Sequence, residues 1–202
     1  MKHEYQALLD FWFATARDDP QAAEKRSAEW FGASAEFDAR LTARYAALWE
    51  DARAGRLLDW AEQPAGRLAL ILLLDQLSRN LGRGTAAAFG QDEQAAALTI
   101  EGLEMRVERG YTPSERGFFL MPLQHAEDVG LQERSVREFR RLHEEAPQPW
   151  YAFTHGMLEY AEEHRDIVQR FGRFPHRNVA LGRTSTAEEA RYLDAGAPRY
   201  GQ

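Results

Sequence analysis

PAGRLALILLLDQLSRNLGRG, residues 64–84, is the stretch on which the fold turns. Pro64 stands where a helix begins at little cost, because the first N–H groups of any helix lack an intrahelical partner. LALILLL (68–74) is apolar on every side, which predicts a central helix surrounded by others. At seven residues the run falls well short of the roughly 18 apolar residues of a membrane span. Asp75, Gln76, Ser78, Arg79 and Asn80 follow directly. Asp75 and Arg79, like Gln76 and Asn80, are four apart and share a helical face. Gly82 and Gly84 close the helix.

Outward from this centre the periodicity stays helical. Leu8, Leu9, Trp12 and Phe13 form the stripe of a short first helix, broken at Asp18-Asp19-Pro20. A second helix runs to about Trp30, and a third from its N-cap Ser34 to Gly55. Beyond the central helix, Asp92–Arg109 reads as one helix and Thr112-Pro113-Ser114-Glu115 as the start of a short one ending before Pro122. Helices over Asp128–Glu145 and about Pro149–Phe171 follow. Ser185 with Glu188, and Thr186 with Glu189, have capping-box spacing for a last helix near Gly196. No alternating β-branched run exists. The expectation is an all-α array of antiparallel helical hairpins. It forms one domain over 1–202, with a C-terminal loop–helix hairpin at about 170–196.

The 202 residues carry a formal charge of −7, with 32 Asp+Glu against 25 Lys+Arg, which argues against nucleic-acid partners. Cysteine is absent, so disulfides and thiolate chemistry are excluded. The N-terminal residues lack the pattern of a signal peptide. A soluble cytoplasmic protein is expected, with its oligomeric state left open.

Against that acidic background stands RFGRFPHRNVALGR (170–183), part of an acid-free window from Ile167 to Ala187. Gly172, Pro175 and Gly182 make it a loop, and arginines in such a loop suit bidentate recognition of carboxylate or phosphate. Arg173, His176, Arg177, Asn178 and Arg183 are therefore candidate ligand-binding residues, together with Asp75, Gln76, Arg79 and Asn80. The acids expected to face the loop are Asp75, Glu127 and Asp128. His125 with Glu127, and His164 on the long helix, are candidates for acid–base catalysis. His155 lies nine residues before His164, about 180° round the helix, so the two do not share a pocket. No phosphate loop, dinucleotide fingerprint or nucleophile elbow is present, and no metal ligand set or cofactor is assigned.

LLLDQLSRNLGRGTAAAF (72–89), PLQHAEDVGLQ (122–132) and RFGRFPHRNVALGRTSTAEE (170–189) together resemble the DUF924 family of bacterial proteins. The resemblance extends over almost the whole chain and implies a helical fold similar to tetratricopeptide-repeat proteins, without a settled reaction. It covers each of the candidate residues named above. Two positions depart from the family pattern. Leu77-Ser78 replaces an aromatic–proline pair, which is expected to straighten the helix, and Ala126 replaces a serine, so no hydroxyl can act as a nucleophile at that position here.

Three functions follow as expectations. The first is binding of an anionic small molecule or peptide carboxylate between the central helix and the 170–183 loop. The second is a hydrolase using His, Asp and Glu for acid–base or metal chemistry, with arginines stabilising negative charge. The third is a purely structural ion-pair clamp.

Overall fold

The computed structural model describes residues 2–201, and among these there is no strand. The helices are α1 (Lys2–Phe13), α2 (Pro20–Phe31), α3 (Ala35–Arg53), α4 (Pro64–Leu72), α5 (Ser78–Leu81), α6 (Asp92–Glu104), α7 (Pro113–His125), α8 (Val129–Glu145), α9 (Tyr151–Phe171) and α10 (Ala187–Asp194). Side chains set the starts. Asp19 caps α2 by accepting from the amides of Gln21 and Ala22, and Ser34 caps α3. Thr112 with Glu115, and Thr186 with Glu189, form complete capping boxes on α7 and α10. Gly172, at φ +69°, ends α9 in the left-handed conformation that glycine adopts without a steric penalty.

α4 is the hub. Leu68 to Leu74 are all buried, and α4 packs on α1, α6 and α7. α7, α8 and α9 pack consecutively as antiparallel neighbours, while α2 reaches across to α9. Phe118 of α7 fills the aromatic centre, with the rings of Trp12, Phe13, Trp30 and Phe31 at 4.7–5.9 Å. A small second cluster of Ile167, Val168 and Phe174 roots the C-terminal loop on α9.

Three local expectations are corrected. α7 does not stop before Pro122 but runs through it to His125. Nearly every residue of this helix is buried, and that packing offsets the proline penalty of about 3 kcal/mol. α6 ends at Glu104, and a separate 3₁₀ turn follows over Val107–Gly110, because Arg106 takes φ +59°. The central helix is not regular before Ser78: Leu73–Leu77 widens into a π-helical turn. Ser78 is held there by the indole N–H of Trp49 at 2.9 Å. Such turns recur at functional sites.

Candidate functional site

The π turn carries the polar residues that follow the apolar run onto the wall of a cleft of about 190 Å³. Gln76, Arg79, Asn80 and Arg83 line one side, and His125, His164, His176 and Arg177 line the other. Trp30, Phe31, Met121, Met157, Tyr160 and Tyr200 supply apolar surface. Every ionised side chain in this lining is an arginine. Their acids sit one layer behind. Arg79 pairs with Asp75 at 3.0 Å and grips Asp92 through two nitrogens at 3.0 and 3.1 Å. Arg177 reaches Asp92 at 3.0 Å and donates to the carbonyl of His125. Its guanidinium lies between the rings of Phe89 and Phe174, at 4.7 and 4.4 Å from their centroids. Arg83 holds Asp38 at 2.7 and 3.0 Å. Asn80 also donates to Asp38, at 2.8 Å.

Asp75 is fully buried. Burial opposes its ionisation, yet Arg79, His125 and Gln76 together outweigh it and hold the carboxyl well below the usual range. The carboxylate is therefore an acceptor. The contact of 2.7 Å to His125 Nδ1 is an N–H donated by the imidazole, and Nε2 is left as the unprotonated nitrogen. His164 follows the same logic, because its Nδ1 meets the backbone carbonyl of Tyr160 at 2.7 Å. The two rings are 5.9 Å apart.

The field at the His164 and His176 rings is positive. Burial depresses the pKa of His176 to about 3, and Arg177, Arg79, His125 and Arg183 all push it the same way. Burial likewise leads for His164, helped by His125, Arg177 and His176. Burial and the neighbouring Arg79 pull Arg177 down to about 10 against the attraction of Asp92. A stability consequence follows for His176. Its unfolded value is near 6.5, so below that pH the unfolded chain takes up a proton that the folded chain refuses. Stability is present above about pH 6.5 and falls toward pH 3, by up to about 1.4 kcal/mol per pH unit. His176→Asn is expected to flatten the acid limb of a stability–pH curve by about one proton. An unchanged slope contradicts this.

The remaining candidates lie outside the cleft lining. Arg183 grips Glu127 at 2.5 and 2.9 Å and donates to Asn178. Glu127 also accepts from the amide of Phe174. Arg173 grips Glu189 at 2.6 and 2.8 Å, and Asn178 donates to Ser185 and Glu189. The N-terminus of α10 is thereby closed by the chain's own carboxylate, since Glu189 completes the capping box there. The expected partners of the loop need correcting. Asp128 does not face the arginines, because it caps α8 through the amide of Leu131 at 2.8 Å. Asp75 pairs directly with Arg79 of its own helix and acts on the loop's Arg177 only as a nearby charge. Glu189 and Asp92 take the places assigned to them.

Asp92, Glu189, Asp38, Arg83 and Tyr200 are thus the residues that sequence reasoning missed. Arg83 carried a signal, since it lies four residues after Arg79. His155 is exposed and far round the helix from His164. Among the described residues, no group of three His, Asp or Glu side chains is arranged to hold a metal ion. No helix among them is long and apolar enough to cross a membrane.

A family model described as "Bacterial protein of unknown function (DUF924)" matches residues 8–197. The chain is also similar to a solved structure, that of the protein of unknown function ATU0120 from Agrobacterium tumefaciens. The two share 35% identity over 96% of this chain and 99% of that one, with a TM-score of 0.81. No curated protein matches the sequence.

Proposed function

The chain belongs to the DUF924 family, and from that premise we propose that it binds a small anion in the cleft between the π turn of the central helix, α9 and the 170–183 loop. The observation that carries this reading is the layering of charge: the ionised side chains facing the cleft are all arginines, and Asp38, Asp75 and Asp92 hold them from behind. Layering matters although three arginines and three acids nominally cancel. At an effective dielectric of about 20, a unit charge at about 4 Å is worth about 4 kcal/mol and one at about 8 Å about half that. An anion in the cleft is therefore attracted on balance. The apolar walls suit a ligand with a carbon skeleton, such as a small carboxylic acid.

Within this reading the ion pairs of Arg173 and Arg183 are the clamp that fixes the loop, and Arg177 joins clamp and cleft. The likeness of the helical array to tetratricopeptide repeats belongs to the same proposal, as does a soluble cytoplasmic location.

Thermal denaturation at low ionic strength tests it. Acetate, benzoate or phosphate at about 100 times its dissociation constant is expected to add about 2.7 kcal/mol, a rise of about 5–10 °C. Melting temperatures that ignore all three anions overturn the reading.

One observation favours a second reading. The Asp75–His125 contact orients an unprotonated Nε2, as a general base requires. In a hydrolase of this kind Nε2 takes a proton from water, the hydroxide adds to the acyl carbon, and the proton passes to the departing group. Ala126 leaves no hydroxyl nucleophile beside His125, so water must attack. Turnover of small anionic esters that disappears in His125→Ala supports this reading. Binding without turnover leaves the first.

A further inference from the structure

We propose that the anion taken by the cleft is an aromatic carboxylate, and that residues 197–201 of the chain itself compete for its place. The inference rests on the anion-binding reading above and specifies its ligand. After α10 the chain returns to the cleft and lays Tyr200 into it. The Tyr200 ring lies 4.3 Å from that of His164, inclined at 37°, and meets His176 edge-on at 5.3 Å. Arg83 donates through its third nitrogen, Nη1, to the carbonyl of Gly201, while Nε and Nη2 stay on Asp38. An aromatic ring between two neutral imidazoles and an oxygen on a cleft-lining guanidinium together make a ligand-shaped arrangement, supplied in cis.

The segment is anchored through side chains: besides the Arg83 contact, the Tyr200 ring packs against the Ile167, Val168 and Phe174 cluster and its hydroxyl lies beside the Glu163 carboxylate. No backbone hydrogen bond between described residues ties 197–201 to the rest of the chain. Tyr200 is held at φ +50°, a region that bulky L side chains rarely adopt, and strain of this kind persists where surrounding contacts impose it. Its hold on Arg83 is also the weaker of two options. A guanidinium binds a carboxylate roughly twice as strongly as a neutral carbonyl. A free aromatic carboxylate therefore reproduces the first contact and improves on the second. Its ring takes the stack on His164, and its carboxylate replaces the Gly201 carbonyl on Arg83.

Calorimetric titration of the full chain with benzoate, acetate and inorganic phosphate, in wild type, Tyr200→Ala and Tyr200→Phe, decides the matter. The expected result is that benzoate binds more tightly than acetate. Tyr200→Ala, which removes the competing ring, should tighten benzoate by about two- to tenfold, the equilibrium equivalent of one aromatic pair. Tyr200→Phe, which keeps the ring and loses only the hydroxyl beside Glu163, should fall between wild type and Tyr200→Ala. If acetate and phosphate bind but benzoate is no better, or Tyr200→Ala leaves it unchanged or weaker, the competition is refuted while anion binding stands. If none of the anions binds to any of the proteins, the anion-binding reading itself fails and this inference goes with it.

Discussion

Replacing Asp75 by alanine is expected to destabilise the fold by about 3–5 kcal/mol, the usual result of stripping one member from a buried ion pair. The carboxylate has no contact with solvent, accepts from His125 at 2.7 Å and from Gln76 at 2.5 Å, and pairs with Arg79 at 3.0 Å. Its loss leaves the His125 N–H with no acceptor and Arg79 dependent on Asp92. Asp75→Asn should recover part of the loss, because an amide oxygen still accepts from His125. It should leave the charge of Arg79 half compensated. Because the pKa of Asp75 is lowered on folding, its contribution is present above the unfolded value near 4 and disappears as pH falls through the folded one. Denaturant melts at pH 7 measure the effect. A loss below about 1 kcal/mol for Asp75→Ala contradicts the role given to it.

Arg177→Ala is expected to have an effect of the same size for a different set of reasons. It removes a guanidinium packed between Phe89 and Phe174, leaves the carbonyl of His125 unpaired and takes one of two arginines from Asp92. A loss of about 3–5 kcal/mol follows from the buried pair. Arg177→Lys is not a rescue, since an ammonium has neither the planar face for two rings nor the fork that spans two acceptors. The variant should also abolish the stabilisation of the protein by anions. Denaturant melts with and without benzoate read both effects, and full stability in Arg177→Ala removes the clamp.

The contrast between these two residues shows what was legible in the sequence. Asp75 and Arg79 are four apart on one helix, so their pairing could be read from spacing alone. So could the central position of LALILLL, because an all-apolar helix has nowhere else to go. The partner of Arg177 could not, since Asp92 is 85 residues away and reads as an ordinary acid at a helix start. Glu189 was visible only as half of a capping box, and its second task with Arg173 appears once the loop folds back onto α10. The π turn had no signature, because the swap of proline for serine signals only that a kink is lost. Pro122 misled for the opposite reason: local propensity argues for a break that tertiary burial overrides. Tyr200 carried no local signal, as its place depends on where the chain travels after α10.

The candidate site separates along the same line. Sequence order groups Arg173, Arg177 and Arg183 as one basic island, and the fold divides them. Arg173 and Arg183 are neutralised in pairs outside the cleft lining, while Arg177 joins Arg79 and Arg83 on its wall. Whether that wall attracts anions is most directly read by anomalous diffraction from crystals soaked in bromide. The expected result is a bromide peak within the cleft, in contact with Arg83 or Arg177, that disappears when benzoate is added. Bromide found only at the outer surface, with none in the cleft, contradicts the claim that its layered charges form an anion site.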